Sequence, residues 1–298
     1  MSKYLGPGFS AFASTSLLAT AMAGCSAQTL EEFEGKPVEL AVNYTAGRAL
    51  YVNGLNGEIR LEAGTAGEVH VRFKPFTFEG YEKEEEAREA IANDLHIALT
   101  EDSAGNVHAT VTKDPGSGSL GAHVLVSLPP EFDNLIQIEN KNGEVEIDYV
   151  GQANRLIVDN NGAGDCLIAG APTIRDTDVQ CDFDVRVLDV ADKVIVQSKE
   201  IGDVTVSIAS IAAGSGNGDI RAKNGDVSLT VPASTSDFSV QAAAYGGGTV
   251  NAGSAPTGCQ VTVAAENSKT LSCGAGPNLT VVAGNEDSLS YDVNLGYR

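Results

Sequence analysis

The sequence predicts an all-β fold: a β-helix-like solenoid of single-strand repeats, with one short helix in its N-terminal part. Three observations carry this. The chain holds 33 Gly, no Trp and only 6% aromatic residues; its β-branched residues suit strands, while Gly, Asn and Asp suit the turns between them. Short runs alternate polar and apolar residues, the period of a half-buried strand. The turn Asn-Gly-(Asp/Glu) recurs ahead of those runs, at glycine intervals that include 19 residues (143 to 162) and 16 (202 to 218). Units of this kind bury their apolar faces only by stacking on one another. A β-sandwich is the alternative architecture, because closely spaced turns would serve it as well.

Residues 1–24 fit a secretory signal, with one Lys, an apolar stretch through Phe12–Met22 and small residues before Cys25. The stretch is too short and too rich in Ser and Thr for a transmembrane helix. Met22-Ala23-Gly24-Cys25 resembles the bacterial lipoprotein lipobox, although Met22 departs from the usual Leu. The resemblance implies that Cys25 is lipidated and becomes the new N-terminus. Residues 25–37 then read as lipid attachment and tether, since Ser26 to Lys36 is polar, acidic and aperiodic. Residues 38–298 form the β domain.

Within it, Val69, Val71 and Phe73 share one face of a strand. The rhythm breaks at about 81–95, where Ala87, Ala90, Ile91 and Leu95 line one helical face and Glu84 precedes Arg88 by four residues. This segment predicts a single helix with a solvated acidic face. After Pro129-Pro130 the repeat is plain. Lys141-Asn142-Gly143-Glu144 leads into Val145, Ile147 and Tyr149; Gly202-Asp203 into Val204, Val206 and Ile208; Asn224-Gly225-Asp226 into Val227, Leu229 and Val231. Asn and Gly tolerate positive φ, which gives each unit a tight turn at its start.

The phrases KNGEVEI, GDVTVSI, GNGDI and KNGDVSLTVP between Gly143 and Val250 resemble the DUF4097 family, whose label proposes an adhesin. The layout before them is similar too, and the resemblance covers roughly Ala49 to Leu295. It implies a β-solenoid-like domain on a bacterial envelope protein. It transfers no catalytic residue.

Charge narrows the function. With 40 Asp+Glu against 19 Lys+Arg and a net charge of −21, the surface repels phosphate backbones and anionic head groups, which excludes nucleic acid as a partner. Five cysteines less a lipidated Cys25 leave four, an even count that suits disulfides in an oxidising compartment. Of three connectivities the local one, Cys166–Cys181 and Cys259–Cys273, is expected; each loop would stabilise by about 3 kcal/mol in the chain-entropy model. No CxxC or His-Cys spacing supports a metal instead.

His70, His96, His108 and His123 show neither HxH nor HExxH spacing, and no nucleophile elbow or phosphate loop is present. Gly214-Ser215-Gly216-Asn217-Gly218-Asp219 partly matches a calcium-binding nonapeptide, but as one imperfect copy it reads as a structural turn. The expectation is a non-catalytic envelope lipoprotein without cofactor, an adhesin-like or structural module whose partner is an envelope polymer or protein. Ser26 after the lipid cysteine points to an outer membrane. A polysaccharide-active lyase or glycosidase on a β-helix is the alternative, for which the missing aromatic platform is a poor start.

Overall fold

The computed structural model describes residues 32–78, 83–233, 237–285 and 289–298. The signal segment and Cys25 lie outside the described residues. Residues 31–298 pack as one unit.

The N-terminal section comprises β1 (Phe33–Glu34), β2 (Val38–Asn43), β3 (Leu50–Asn53), β4 (Ile59–Ala63), β5 (Glu68–Thr77), α1 (Glu84–Asp94), β6 (Leu95–Glu101), β7 (Val107–Lys113) and β8 (Leu120–Leu128). The central section runs through β9 (Leu135–Asn140), β10 (Val145–Ile147), β11 (Arg155–Asn160), β12 (Cys166–Ile168), β13 (Asp176–Cys181), β14 (Val185–Ala191), β15 (Lys193–Ser198), β16 (Val204–Ser210), β17 (Gly218–Ala222) and β18 (Val227–Val231). The C-terminal section holds β19 (Phe238–Ala244), β20 (Val250–Ala252), β21 (Gln260–Ala265), β22 (Ser268–Cys273), β23 (Asn278–Ala283) and β24 (Val293–Tyr297).

The protein is all-β with one helix, as the sequence predicts. Two 12-stranded sheets form. In the first, the order is β1-β5-β8-β4-β10-β12-β14-β16-β18-β24-β20, with β2 also on β5; in the second, β21-β22-β19-β23-β17-β15-β13-β11-β9-β3-β7-β6. From β9 to β18 successive strands alternate between the sheets, and each pairs in parallel with the strand two places away. One coil therefore contributes two strands, one per sheet. Val145, Cys166, Val185, Val204 and Val227 stand in register, so a coil takes 19 to 23 residues. A turn with Gly precedes β4, β10, β12, β16 and β18 of the first sheet, while β14 follows Phe183-Asp184; in the second sheet strands such as β9 have no such turn ahead of them, although Asn217-Gly218 opens β17.

Alternation puts the apolar residues inside. Leu61, Ile147, Ile168, Val187, Val206, Leu229 and Leu295 stack as one column of the first sheet, each no more than 6% exposed. Facing them, Val52, Ile138, Val158, Val179, Val196, Ile220, Val281 and Ala242 stack in the second. At about 25 cal/mol per Å² of apolar area, this shared core is the main favourable contribution to the fold. Val204, Val206 and Ile208 point inward and Thr205 and Ser207 outward, the register the sequence gives them.

Two departures concern the ends. Phe33–Glu34 pairs antiparallel with β5, so ordered structure begins within the segment read as tether. The helix forms over Glu84–Asp94, with Ala87 and Ile91 buried and the Arg88 guanidinium 2.7 Å from Glu84 Oε1. Glu84, Glu85 and Glu86 sit in its first turn, where carboxylates favour the helix dipole. Leu95, placed on the helix by its spacing, is already the first residue of β6 and is buried there. The last coil in sequence is not last in space: β23 lies between β17 and β19, and β24 between β18 and β20.

Glycine at the turns has a different cause from the one predicted at some positions. Gly143 takes a φ of +114°, as expected. Gly225 does not take positive φ, yet a Cβ there would lie 2.0 Å from the Gly202 carbonyl oxygen of the neighbouring coil. Close approach of two backbones excludes a side chain at Gly225.

Candidate functional site

An Asp or Glu stands just before each of seven first-sheet strands, after a glycine in five of them and after Phe183 and Tyr291 in the other two, and from Asp165 onward these acids join one coil to the next. Glu58, Glu144, Asp165, Asp184, Asp203, Asp226 and Asp292 each precede the first residue of a first-sheet strand, and those first residues are in register. The Asp184 N–H donates to Asp165 Oδ1 at 3.2 Å, that of Asp203 to Asp184 at 2.7 Å, that of Asp226 to Asp203 at 2.9 Å and that of Asp292 to Asp226 at 2.8 Å. Thr249 N–H closes one end on Asp292 at 2.7 Å, and Glu58 N–H meets His123 Nδ1 at 3.2 Å toward the other.

Parallel strands repeat about every 4.8 Å, so like charges crowd along this column. Burial, then repulsion from Asp184, raises the Asp165 carboxyl above its ordinary range. Burial, then Glu58, Glu146 and Asp165, does the same to Glu144. No group of three or more His, Cys, Asp or Glu arranged to hold a metal ion occurs among the described residues. The column is a structural seam.

Inside the same corner runs a second column: Asn140, Asn160, Cys181, Ser198 and Ala222 are in register at the ends of their strands. Asn140 Nδ2 donates to the carbonyls of Gly57 and Gly143 at 3.1 and 3.2 Å, and Asn160 Nδ2 to those of Gly143 and Gly164 at 2.9 and 3.2 Å. These amides satisfy turn carbonyls that the coil winding leaves unpaired.

The outer face of the second sheet carries two further in-register rows. One runs Gln137, Ile157, Asp178, Ile195, Asp219, Thr280 and Gln241; the other runs Glu139, Asp159, Gln180, Gln197 and Arg221. Lys193 Nζ reaches Asp176 on the neighbouring strand at 2.9 Å, and Lys199 Nζ, just after β15, reaches past β13 to Asp159 of β11 at 2.9 Å. The surface is broad, polar and of mixed charge.

Where the first coil meets β7, this face is interrupted by a cleft of about 940 Å³. One wall is the end of β7 and its connection to β8, residues 110–119; the other is formed by residues 53–55, 139–141 and Asn161. No aromatic ring lines it. Sequence gives no sign of it, because it arises from a loop standing over two coils.

The predicted site residues fall as follows. Cys25 is outside the described residues. Cys259 and Cys273 are disulfide-bonded, tying the end of β22 to the residue before β21. At the other pair the structure differs from the expectation: Cys166 and Cys181 are free, buried thiols. Cys181 Sγ donates to the Gly164 carbonyl at 3.3 Å and accepts from Asn160 Nδ2 at 3.7 Å. Cys181 thus takes its place in the corner column beside its asparagine neighbour. Burial raises the Cys166 thiol well above its ordinary pKa.

The histidines are separate from one another. His96 Nε2 contacts Asp114 at 2.8 Å, and His108 contacts Asp102 at 3.3 Å while stacking on Tyr51 with ring centroids 4.8 Å apart. His70 stands on β5 opposite Ser127. In the Gly-Asn-Asp turn, Asn217 Oδ1 accepts the Asn278 N–H at 3.0 Å and Asp219 pairs with Arg221 at 2.8 Å, so both side chains bind the protein itself. Among the described residues no helix is long and apolar enough to cross a membrane.

No protein-family model and no curated protein matches the chain, DUF4097 included. Among solved structures, it is similar to a "putative cell adhesion protein" from Clostridium sporogenes, at 14% identity and a TM-score of 0.33, over 88% of this chain and 100% of that one. It is also similar to a "putative adhesin" from Bacteroides fragilis (9% identity, TM-score 0.30, 87% of this chain and 97% of that one). A third, of the same description, comes from Parabacteroides merdae (8%, 0.30, 87% and 96%). At these scores the likeness transfers neither ligand nor role.

Proposed function

We propose that the chain is an exported, lipid-anchored envelope protein whose coiled domain is a non-catalytic, adhesin-like contact module. The observation that carries this is the second sheet's outer face, where stacking turns Gln, Asp, Thr and Ile into in-register rows. Such rows match extended partners, a polymer strand or another protein, better than they match a small substrate, which needs a convergent, desolvated site. The lipid at Cys25 would hold the domain at the membrane, and its acidity keeps it off anionic head groups.

The test uses the exported chain bearing Cys25→Ser, coated on beads and offered to envelope polysaccharide and envelope protein fractions. Retention of a fraction that is lost with Gln180→Arg and Gln197→Arg together supports the reading. Failure to retain any fraction, or release of new reducing ends from the polysaccharide, overturns it; the latter result would put the lyase or glycosidase reading in its place.

A further inference from the structure

The geometry points to the cleft beside β7 as a binding site for a neutral, hydroxyl-rich saccharide. This deepens the adhesin-like reading and rests on it for the class of partner, but not for the location. Its size, about 940 Å³, lies at the upper end of the range in which proteins hold ligands.

The lining selects the chemistry. Asn53, Thr110, Thr112, Ser117, Ser119 and Asn161 offer hydroxyls and carboxamides, groups that both donate and accept, as sugar hydroxyls require. Four charged residues join them, Lys113, Asp114, Glu139 and Lys141, two of each sign. In a chain of net charge −21 such a balance is local, and it favours neither a polyanion nor a polycation. Three of the charges are already engaged: Lys113 Nζ holds the Gly118 carbonyl, Asp114 Oδ1 meets His96 at 2.8 Å and Glu139 Oε1 accepts from Gln137 Nε2 at 2.9 Å. Without aromatic or large apolar walls, the cleft does not suit a flat hydrophobic ligand.

The floor adds a second feature. Asn140 is 2% exposed, and its Oδ1 has no hydrogen-bond partner among the described residues. It lies against Gly54, also part of the lining, where a Cβ would come within 2.5 Å of that oxygen. Asn160 Oδ1, one coil along, is equally unpaired but is not part of this lining. Of the two unpaired acceptors only that of Asn140 belongs to a residue of the cleft, and any side chain at position 54 would press on it.

The experiment is an array of neutral oligosaccharides (glucans, mannans and galactans), with sialylated and phosphorylated glycans as anionic controls, probed with the exported Cys25→Ser chain. Affinity for the best neutral oligosaccharide is then measured by titration calorimetry for Asn53→Leu, Thr112→Val and Ser119→Trp, with Thr205→Ala on the outer face of the first sheet as a control. Circular dichroism confirms that each variant is folded, and a variant that is not is replaced by its Ser or Ala counterpart. The expected result is retention of neutral glycans, at least tenfold weaker binding for the three cleft variants and unchanged binding for Thr205→Ala. Wild-type affinity in all three folded cleft variants overturns the cleft assignment and leaves the contact-module reading standing. Preference for anionic glycans overturns the ligand class, and absence of glycan binding in a chain whose beads still retain an envelope protein overturns the saccharide assignment alone.

Discussion

Replacing Gly225 by Ala separates two explanations of the repeat's glycine. If positive φ were the reason, Gly225 would tolerate Ala, because it does not take positive φ. The structure instead puts the new Cβ 2.0 Å from the Gly202 carbonyl oxygen, whereas ordinary contact begins near 3.4 Å. The two coils must therefore part by about 1.4 Å at this corner. Three bonds cross that gap: Gly202 N–H to Asn224 O at 3.1 Å, Val204 N–H to Asp226 O at 2.9 Å and Asp226 N–H to Asp203 Oδ1 at 2.9 Å. At about 1 kcal/mol each, the loss is about 3 kcal/mol, which corresponds to a fall in melting temperature of about 6–12 °C for a domain of this size. Gly214→Ala is the control, since nothing lies within 4 Å of a Cβ there and its φ is ordinary; its change should stay within about 0.5 kcal/mol. Urea unfolding followed by circular dichroism measures both. Equal stability of the two variants would refute the close-approach argument.

Other outcomes follow from the register and the titrating groups. Val206→Asp, which places a charge at a site 1% exposed, should unfold the domain, whereas Thr205→Ala should change stability by less than about 0.5 kcal/mol; the reverse order by thermal melting would mean that the register is off by one. Asp165 has a folded pKa above its unfolded one, so its cost to stability is absent at low pH and grows as pH rises from the ordinary carboxylate range, about 3.9, through the folded value. Asp165→Asn, which keeps the acceptor for Asp184, should therefore be more stable than the parent at pH 7 and indistinguishable at pH 3 in urea titrations. Non-reducing peptide mapping of the protein should find Cys259 joined to Cys273, and Cys166 and Cys181 as free thiols; a Cys166–Cys181 peptide would refute the packing described for that pair. Cys25→Ser should move the protein from the detergent phase to the soluble fraction, and unchanged partitioning would exclude lipidation at that residue.

The fold was legible where a residue's neighbours in sequence decide its environment. Val204, Val206 and Ile208 alternate with polar residues, and period 2 alone places them inward. Ala87 and Ile91 fall on the buried side of α1 for the same local reason. Apart from β17, which GNGDI marks, the second strands of the coils were not legible as units; Val194 and Val196, for example, follow Asp192, a non-glycine residue at φ +61°, rather than an Asn-Gly turn. Which backbone lies above Gly225 depends on a residue 23 positions away, and sequence pattern carries no such distance. The site was less legible still. The Asp after each glycine was visible as part of a phrase, but its bond to the next Asp exists only after stacking. The cleft depends on residues 53–55 meeting residues 110–119, which no short motif records.

The placement of β23 and β24 inside the stack bears on how the chain acquires its fold as it emerges. A stack built coil by coil would grow as each segment emerges, every new strand finding its partner already in place. Here β19 and β20 emerge before the coil that separates them from β17 and β18. Until residues 278–297 arrive, β19 has a competing partner in β17, whose alternation of buried and outward residues is the same. Direct docking of β19 on β17 would form a plausible ladder of the wrong neighbours, and correct assembly then requires that ladder to open. The hairpin β21–β22 and its Cys259–Cys273 bond lie between β20 and β23 in sequence, and β22 pairs with the edge of β19 that faces away from the vacant slot. Oxidation of that hairpin while the slot is still empty leaves β19 free to receive β23, so bond formation and chain emergence are compatible in either order. Slow maturation should accordingly be confined to this end of the protein.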